Sequence, residues 1–153
     1  MIGAESTLDW QRERAWLGYA GLIPFVAGVL MLAAGSDAAS TAVATDLVRY
    51  YAAVIASFLG AVHWGVAADQ RDPRRRARLR WGVMPALLAW LLLLLPAAPA
   101  LLGFALLFAL ILGVDRYLLP VLDGRYRRLR LQLSLVVIGA LVFAALLVPE
   151  ASA

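Results

Sequence analysis

Five apolar runs, each close to the length of a bilayer crossing, fill most of this 153-residue chain. They fall at residues 17–34, 47–68, 79–95, 100–119 and 131–148. A transmembrane helix needs roughly 20 mostly apolar residues. In hydrocarbon every backbone N–H and C=O must find a partner within the protein, and a helix supplies those partners inside one segment. The expected fold is therefore all-α: a polytopic bundle of five transmembrane helices over 17–148, preceded by a cytoplasmic or interfacial segment over 1–16. Composition points the same way. Hydrophobic residues make up 63% and charged residues 16%, whereas soluble domains carry about a quarter charged. The chain has too little polar surface to cover a water-facing globule.

The basic residues set an orientation. All 14 are arginine, because the chain has no lysine. Arg12 and Arg14 precede the first run. Arg71, Arg74, Arg75, Arg76, Arg78 and Arg80 lie between the second and third. Arg116, Arg125, Arg127, Arg128 and Arg130 lie between the fourth and fifth. The intervening connections and the C-terminal end carry none, apart from Arg49. Cytoplasmic loops collect arginine and lysine, so the N-terminus is expected inside and the C-terminus outside. Small residues at Ala33–Ser36 have the look of a signal-peptidase site. The mixed-charge stretch before the first run argues against cleavage, and its acidic residues argue against a mitochondrial presequence. The expected location is a bacterial cytoplasmic (inner) membrane. Trp10, Trp16 and Trp81 suit the inner headgroup level, and Tyr50 and Tyr51 the outer one. Pro96 and Pro99 are expected to stop the helices on either side of a tight hairpin.

Missing residue types exclude much chemistry. Without cysteine there is no disulfide, thiolate nucleophile or iron–sulfur ligand. Without lysine there is no Schiff base. A single histidine, His63, rules out a multi-histidine metal site within one chain. No metal and no cofactor are expected. Nucleic acid is not an expected partner despite the pI near 10.1, since the arginines flank apolar spans.

The second run holds what chemical content there is: Ser57, Gly60, His63, Trp64 and Gly65. Helical geometry places Ala52, Ala56, Gly60, His63 and Ala67 in one stripe of mostly small residues, which lets a neighbouring helix approach. An ionisable residue inside the membrane is costly, and so marks a candidate site. His63 as a proton relay, haem ligand or quinone donor stands against the plainer reading, a neutral imidazole bonding across a helix interface. Asp115 and Arg116 close the fourth run and are either a pocket-lining pair or a snorkelling helix end. The candidate pocket is therefore His63, Trp64, Ser57, Asp115 and Arg116. Contact with the headgroups of anionic phospholipids is expected of Arg74, Arg75, Arg76, Arg78, Arg80, Arg125, Arg127, Arg128 and Arg130.

The string Ser57-Phe58-Leu59-Gly60-Ala61-Val62-His63-Trp64-Gly65 resembles a family catalogued as domain of unknown function 3429, DUF3429. Three further segments are similar to it: residues 17–25, residues 83–90, and Tyr126-Arg127-Arg128-Leu129-Arg130. The resemblance covers most of the chain from Leu17 to Val148. It implies a small polytopic protein of an energy-coupling membrane and no particular activity. Gly60, His63, Trp64 and Gly65 match the most distinctive segment. Two classes of function stay open on the residues. The first is a non-enzymatic accessory or assembly subunit of a larger membrane complex, with a membrane-protein partner or a homo-oligomer. It is favoured by the scarcity of catalytic groups and the abundance of small-residue faces. The alternative is a membrane-embedded module that binds a quinone, lipid or haem, or handles protons, through His63. An enzyme is not expected, because acid–base work needs a poised pair within hydrogen-bond reach.

Overall fold

The computed structural model describes residues 2–35, 37–68, 73–119 and 124–148, with side chains for Trp10 and from Arg12 onward. Among the described residues six helices follow one another: α1 (Ile2–Ala20), α2 (Ile23–Ala34), α3 (Ala38–Val66), α4 (Arg75–Leu93), α5 (Ala97–Leu118) and α6 (Gly124–Leu147). No strand occurs among the described residues. Four helical stretches are long and apolar enough to cross a membrane: Arg12–Ala34, Ala38–Val66, Ala97–Leu118 and Gly124–Leu147. The helix expected over 79–95 is present as α4, but it does not meet that measure. Its 19 residues begin with Arg75, Arg76, Arg78 and Arg80.

The first apolar stretch is broken at Gly21–Leu22, between α1 and α2. Pro24 has no N–H to give the carbonyl of Ala20, and its ring crowds that carbonyl. The amide of Leu22 turns instead to Tyr19 O at 2.9 Å. The freed carbonyl of Gly21 accepts the Tyr51 hydroxyl at 3.0 Å. A break inside a membrane helix is tolerated when a neighbour satisfies the released groups in this way. Tyr51 thus serves the break and is only half-exposed, whereas Tyr50 is exposed as a belt residue would be.

Helix α3 starts well before residue 47. Asp37 caps it, accepting the Ser40 amide at 2.8 Å. That backbone bond, then the Ser40 hydroxyl, holds the Asp37 carboxyl below the usual carboxylate range. Ser40, Thr41 and Thr45 hide this first part of the helix from hydropathy. Their hydroxyls bond back to their own helix: Thr41 Oγ1 to Asp37 O at 2.9 Å and Thr45 Oγ1 to Thr41 O at 2.7 Å. A second difference concerns Pro99. It does not stop α5 but lies in its first turn, with Pro96 as the cap. A first-turn N–H has no intrahelical partner, so proline costs nothing there.

From α2 onward, successive helices run antiparallel. On α3 and α4, Arg49 reaches Leu93, Gly60 abuts Gly82, Trp64 reaches Leu79 and Arg75 reaches Ala67. Between α2 and α3, Gly28 lies against Val48 and Ala44. Helix α5 is the core element: Leu101, Phe104, Phe108, Ile111, Asp115 and Leu118 form one buried stripe at helical spacing. Phe108 and Tyr51 both meet the edge or face of Phe25, with centroids 6.3 and 5.0 Å away. Glycine and alanine make the close approaches. An added Cβ at Gly60 would stand 2.6 Å from the carbonyl oxygen of Gly82. Lipid tails are as apolar as leucine, so such packing, not water exclusion, holds membrane helices together. The outside is correspondingly greasy, with Leu106 72% and Leu146 76% exposed.

Every described arginine except Arg49 sits at one end of the bundle, where α3 and α5 finish and α4 and α6 begin. Arg49, the exception to the charge alternation, has a local task at the other end. It donates to Leu93 O and Leu95 O at 2.9 Å each and pairs with Asp46 at 3.6 Å. The carbonyl of Leu93 ends α4 and that of Leu95 lies just past it, where carbonyls have no partner within the helix.

Candidate functional site

The arginine-rich end contains a polar junction of three helices, centred on Asp115 near the end of α5. Its Oδ1 meets His63 Nε2 of α3 at 2.8 Å. Its Oδ2 accepts both Nε and one terminal nitrogen of Arg130, on α6, at 2.8 and 2.5 Å. A carboxylate only accepts hydrogen bonds, so Nε2 of His63 carries the proton in this pair. The His63 side chain is completely buried, and those of Asp115 and Arg130 are 8% and 11% exposed. A lone charge here would be very costly. An arginine fork plus a second hydrogen bond is the arrangement that makes a buried carboxylate tolerable.

Neither ring nitrogen of His63 faces open space. Nε2 is taken by Asp115, and Nδ1 is sealed from solvent with no partner. A haem iron or quinone carbonyl would need one of these nitrogens facing open space. Among the described residues, no three histidine, aspartate or glutamate side chains lie together as metal ligands would.

Of the residues proposed as one pocket, the structure brings His63 and Asp115 into contact, sets Arg116 beside Asp115 on one cleft, and engages Ser57 and Trp64 elsewhere. Ser57 bonds back to Ala53 O at 2.8 Å within α3. The Trp64 indole donates to Leu79 O at 3.0 Å and lies over Gly82, clasping α3 to α4. Arg116 is exposed and lines a cleft of about 360 Å³ between α5 and α6. Asp115 lines the same cleft, with Leu112, Leu119, Gly124, Tyr126, Arg127, Arg128, Arg130 and Leu131. The cleft therefore begins one hydrogen bond away from His63. Spacing within one helix gave no sign of Arg130 as the partner of Asp115, because the pair forms only when α5 and α6 fold back on each other. The remaining signal was the charge itself, since a buried aspartate demands a cation.

The nine arginines expected at lipid headgroups divide into distinct groups. Those on and just before α4 are largely engaged with helix ends. Arg74 donates to Tyr117 O, Arg75 to Ala67 O at 3.2 Å, and Arg78 to Leu118 O at 2.8 Å. Arg78 is only 3% exposed, so headgroup contact does not suit it. Cations favour the negative end of a helix dipole, and the last carbonyls there lack partners. Arg76 and Arg80 are exposed, as are Arg125, Arg127 and Arg128 on α6. Arg71 lies outside the described residues. Arg14 of α1 stacks on Trp10 and on Tyr126, 4.4 and 4.8 Å from the ring centres, and so ties α1 to the rim of the cleft.

Comparison with known proteins places this bundle. The family described as "Protein of unknown function (DUF3429)" matches residues 10–146, which include His63, Asp115 and Arg130. Transmembrane protein 69 of Xenopus tropicalis is 37% identical over 141 residues, covering 88% of this chain and 54% of that protein. The chain thus spans about half the length of that relative. No solved structure matches it.

Proposed function

This chain belongs to the DUF3429 family, and we propose that it is a non-enzymatic membrane module that binds a small amphipathic ligand in the cleft between α5 and α6. One observation carries this reading: the cleft of about 360 Å³ has arginines and leucines on its walls, and the His63–Asp115–Arg130 junction forms its rigid back. Ligand sites are concave and mostly preformed, with a few polar groups fixed in place, and run from roughly 300 to 1,000 Å³. His63 then acts as a strut that orients Asp115, which in turn holds Arg130 at the wall. Nothing in the arrangement pairs an acid and a base across a reacting atom.

The test is native mass spectrometry of the protein released from its own membranes in mild detergent. A small-molecule adduct is expected on the wild type and absent from Leu112→Trp, which fills the cleft. An adduct indifferent to Leu112→Trp would sink the reading. The accessory role is the second reading. The same junction supports it, since His63, Asp115 and Arg130 are consumed by helix-to-helix bonds as in a scaffold. A protein that co-purifies regardless of Leu112→Trp is its expected outcome.

The reading includes five crossings. Contacts between α3 and α4 extend from Arg49 to Ala67, roughly 27 Å of helix at 1.5 Å per residue. That is close to the thickness of a hydrocarbon core, so α4 is taken as the remaining span. The clustering of arginine at one end supports that end as the cytoplasmic face of a bacterial inner membrane, with the C-terminus outside.

A further inference from the structure

We infer that the cleft ligand is a phosphate-bearing anionic amphiphile, its phosphoryl group held by Arg116, Arg127 and Arg128 and its chain lying along Leu112 and Leu131. This rests on the reading of the cleft as a binding site and specifies what enters it.

The charge distribution makes the case. Four guanidinium groups and one carboxylate line the cleft. The carboxylate, Asp115, is matched by Arg130. Arg116, Arg127 and Arg128 are exposed and make no ion pair among the described residues. That leaves three forks without a counter-charge among the described residues of that wall. A single carboxylate has two oxygens to offer them. A phosphoryl group presents more acceptor oxygens, and the planar guanidinium matches its geometry bidentately. On the α4 side Arg74, Arg75 and Arg78 bond helix-end carbonyls, and the exposed Arg76 and Arg80 do not line the cleft. The anion site is therefore one-sided, on α5 and α6.

Polarity changes along the cleft in the direction an amphiphile needs. Arg127 and Arg128 lie in the first turns of α6, at the end of the bundle. Leu112 lies a turn before Asp115 on α5, deeper in the bundle, and Leu131 follows Arg130 on α6. A lipid seated there has its phosphate at the headgroup level and its chain toward the hydrocarbon. Free phosphate shares the phosphoryl chemistry but leaves the leucine wall unused. The cationic end of a zwitterionic headgroup would face the arginines and be repelled.

The experiment uses the full chain, delipidated in neutral detergent and titrated by native mass spectrometry with three probes: short-chain phosphatidylglycerol, short-chain phosphatidylcholine and inorganic phosphate. Phosphatidylglycerol should bind at least tenfold more tightly than either of the others. Arg127→Gln with Arg128→Gln should weaken it about thirtyfold, from the attraction of two surface arginines for an anionic lipid. Arg76→Gln with Arg80→Gln, which removes equal charge from α4, should change it less than twofold. Equal affinity for phosphatidylcholine, or equal loss in the two double variants, would overturn the inference and leave the cleft as a binding site. Inorganic phosphate binding as tightly as the lipid would overturn the amphiphile in favour of a free anion. If Leu112→Trp changes binding of none of the three probes, the cleft itself is not the site and both readings fall. Circular dichroism melts of each variant separate lost binding from lost folding.

Discussion

Asp115 is the residue on which three helices depend. It pairs with Arg130, accepts a hydrogen bond from His63 and closes the back of the cleft. Asp115→Asn keeps the shape and removes the charge, leaving Arg130 with an uncompensated positive charge at 11% exposure. Breaking a buried pair from one side costs about 3 kcal/mol. Adding Arg130→Gln removes the orphaned charge, so the double variant should be more stable than Asp115→Asn alone. Chemical denaturation in detergent gives the comparison, and simple additivity of the two losses would show that the pair carries no coupling. The chemistry of this junction was half visible in the sequence. His63 and Asp115 stood out as ionisable groups in apolar runs, and their shared depth made contact plausible. Arg130 was submerged in a run of arginines with identical chemistry, and only the α5–α6 hairpin singles it out. Trp64 and Ser57 were grouped with His63 by nearness in sequence. Residues one place apart on a helix point about 100° apart, so Trp64 faces α4 while His63 faces α5.

At the scale of elements, the α3–α4 contact is set by two glycines with unequal roles. A methyl at Gly60 would meet the backbone carbonyl of Gly82 at 2.6 Å, with Pro85 Cγ at 3.1 Å. Neither can rotate away, so the helices must separate. A methyl at Gly82 would press on the Trp64 ring, which is 53% exposed and can swing outward. Gly60→Ala is therefore expected to cost about 1–3 kcal/mol, as overpacking does, and Gly82→Ala clearly less. Thermal melts in one detergent provide the ranking, and equal losses would show that backbone proximity is not what limits the approach. Helix existence was legible from apolar length alone, whereas helix ends were not. Hydropathy located α3 from residue 47, because Ser40, Thr41 and Thr45 look polar until their hydroxyls are seen bonded to their own backbone. It located α6 from 131, because the arginines that begin the helix at Gly124 look like a loop. The break between α1 and α2 could be placed near Pro24, but the hydroxyl that donates to its open carbonyl, that of Tyr51, belongs to another helix.

For the whole molecule, the decisive quantity is which ends of the helices share a side of the membrane. From α2 onward the bundle alternates direction at each connection, and the arginines mark one end. Helix α4 is the delicate case. Its first six residues include four arginines, too many for an independent apolar span, yet α3 runs antiparallel to it over its whole length. Arg75 and Arg78 are satisfied by carbonyls at the ends of α3 and α5, so α4 begins inside a collar of helix ends. The chain has no cysteine, so single cysteines report without background. Ala77→Cys at the start of α4 and Ala98→Cys at the start of α5 should react with an impermeant maleimide from opposite faces of sealed vesicles, and Ala39→Cys at the start of α3 should side with Ala98→Cys. If Ala77→Cys and Ala98→Cys labelled from the same face, α4 would be a surface helix and the crossings would number four. The arginine-rich end would then no longer face a single compartment, because α5 would be inverted relative to α3. A cleft between α5 and α6 backed by His63 of α3 requires all three of those helix ends on one side, so the five-crossing topology and the His63–Asp115 bond stand or fall together.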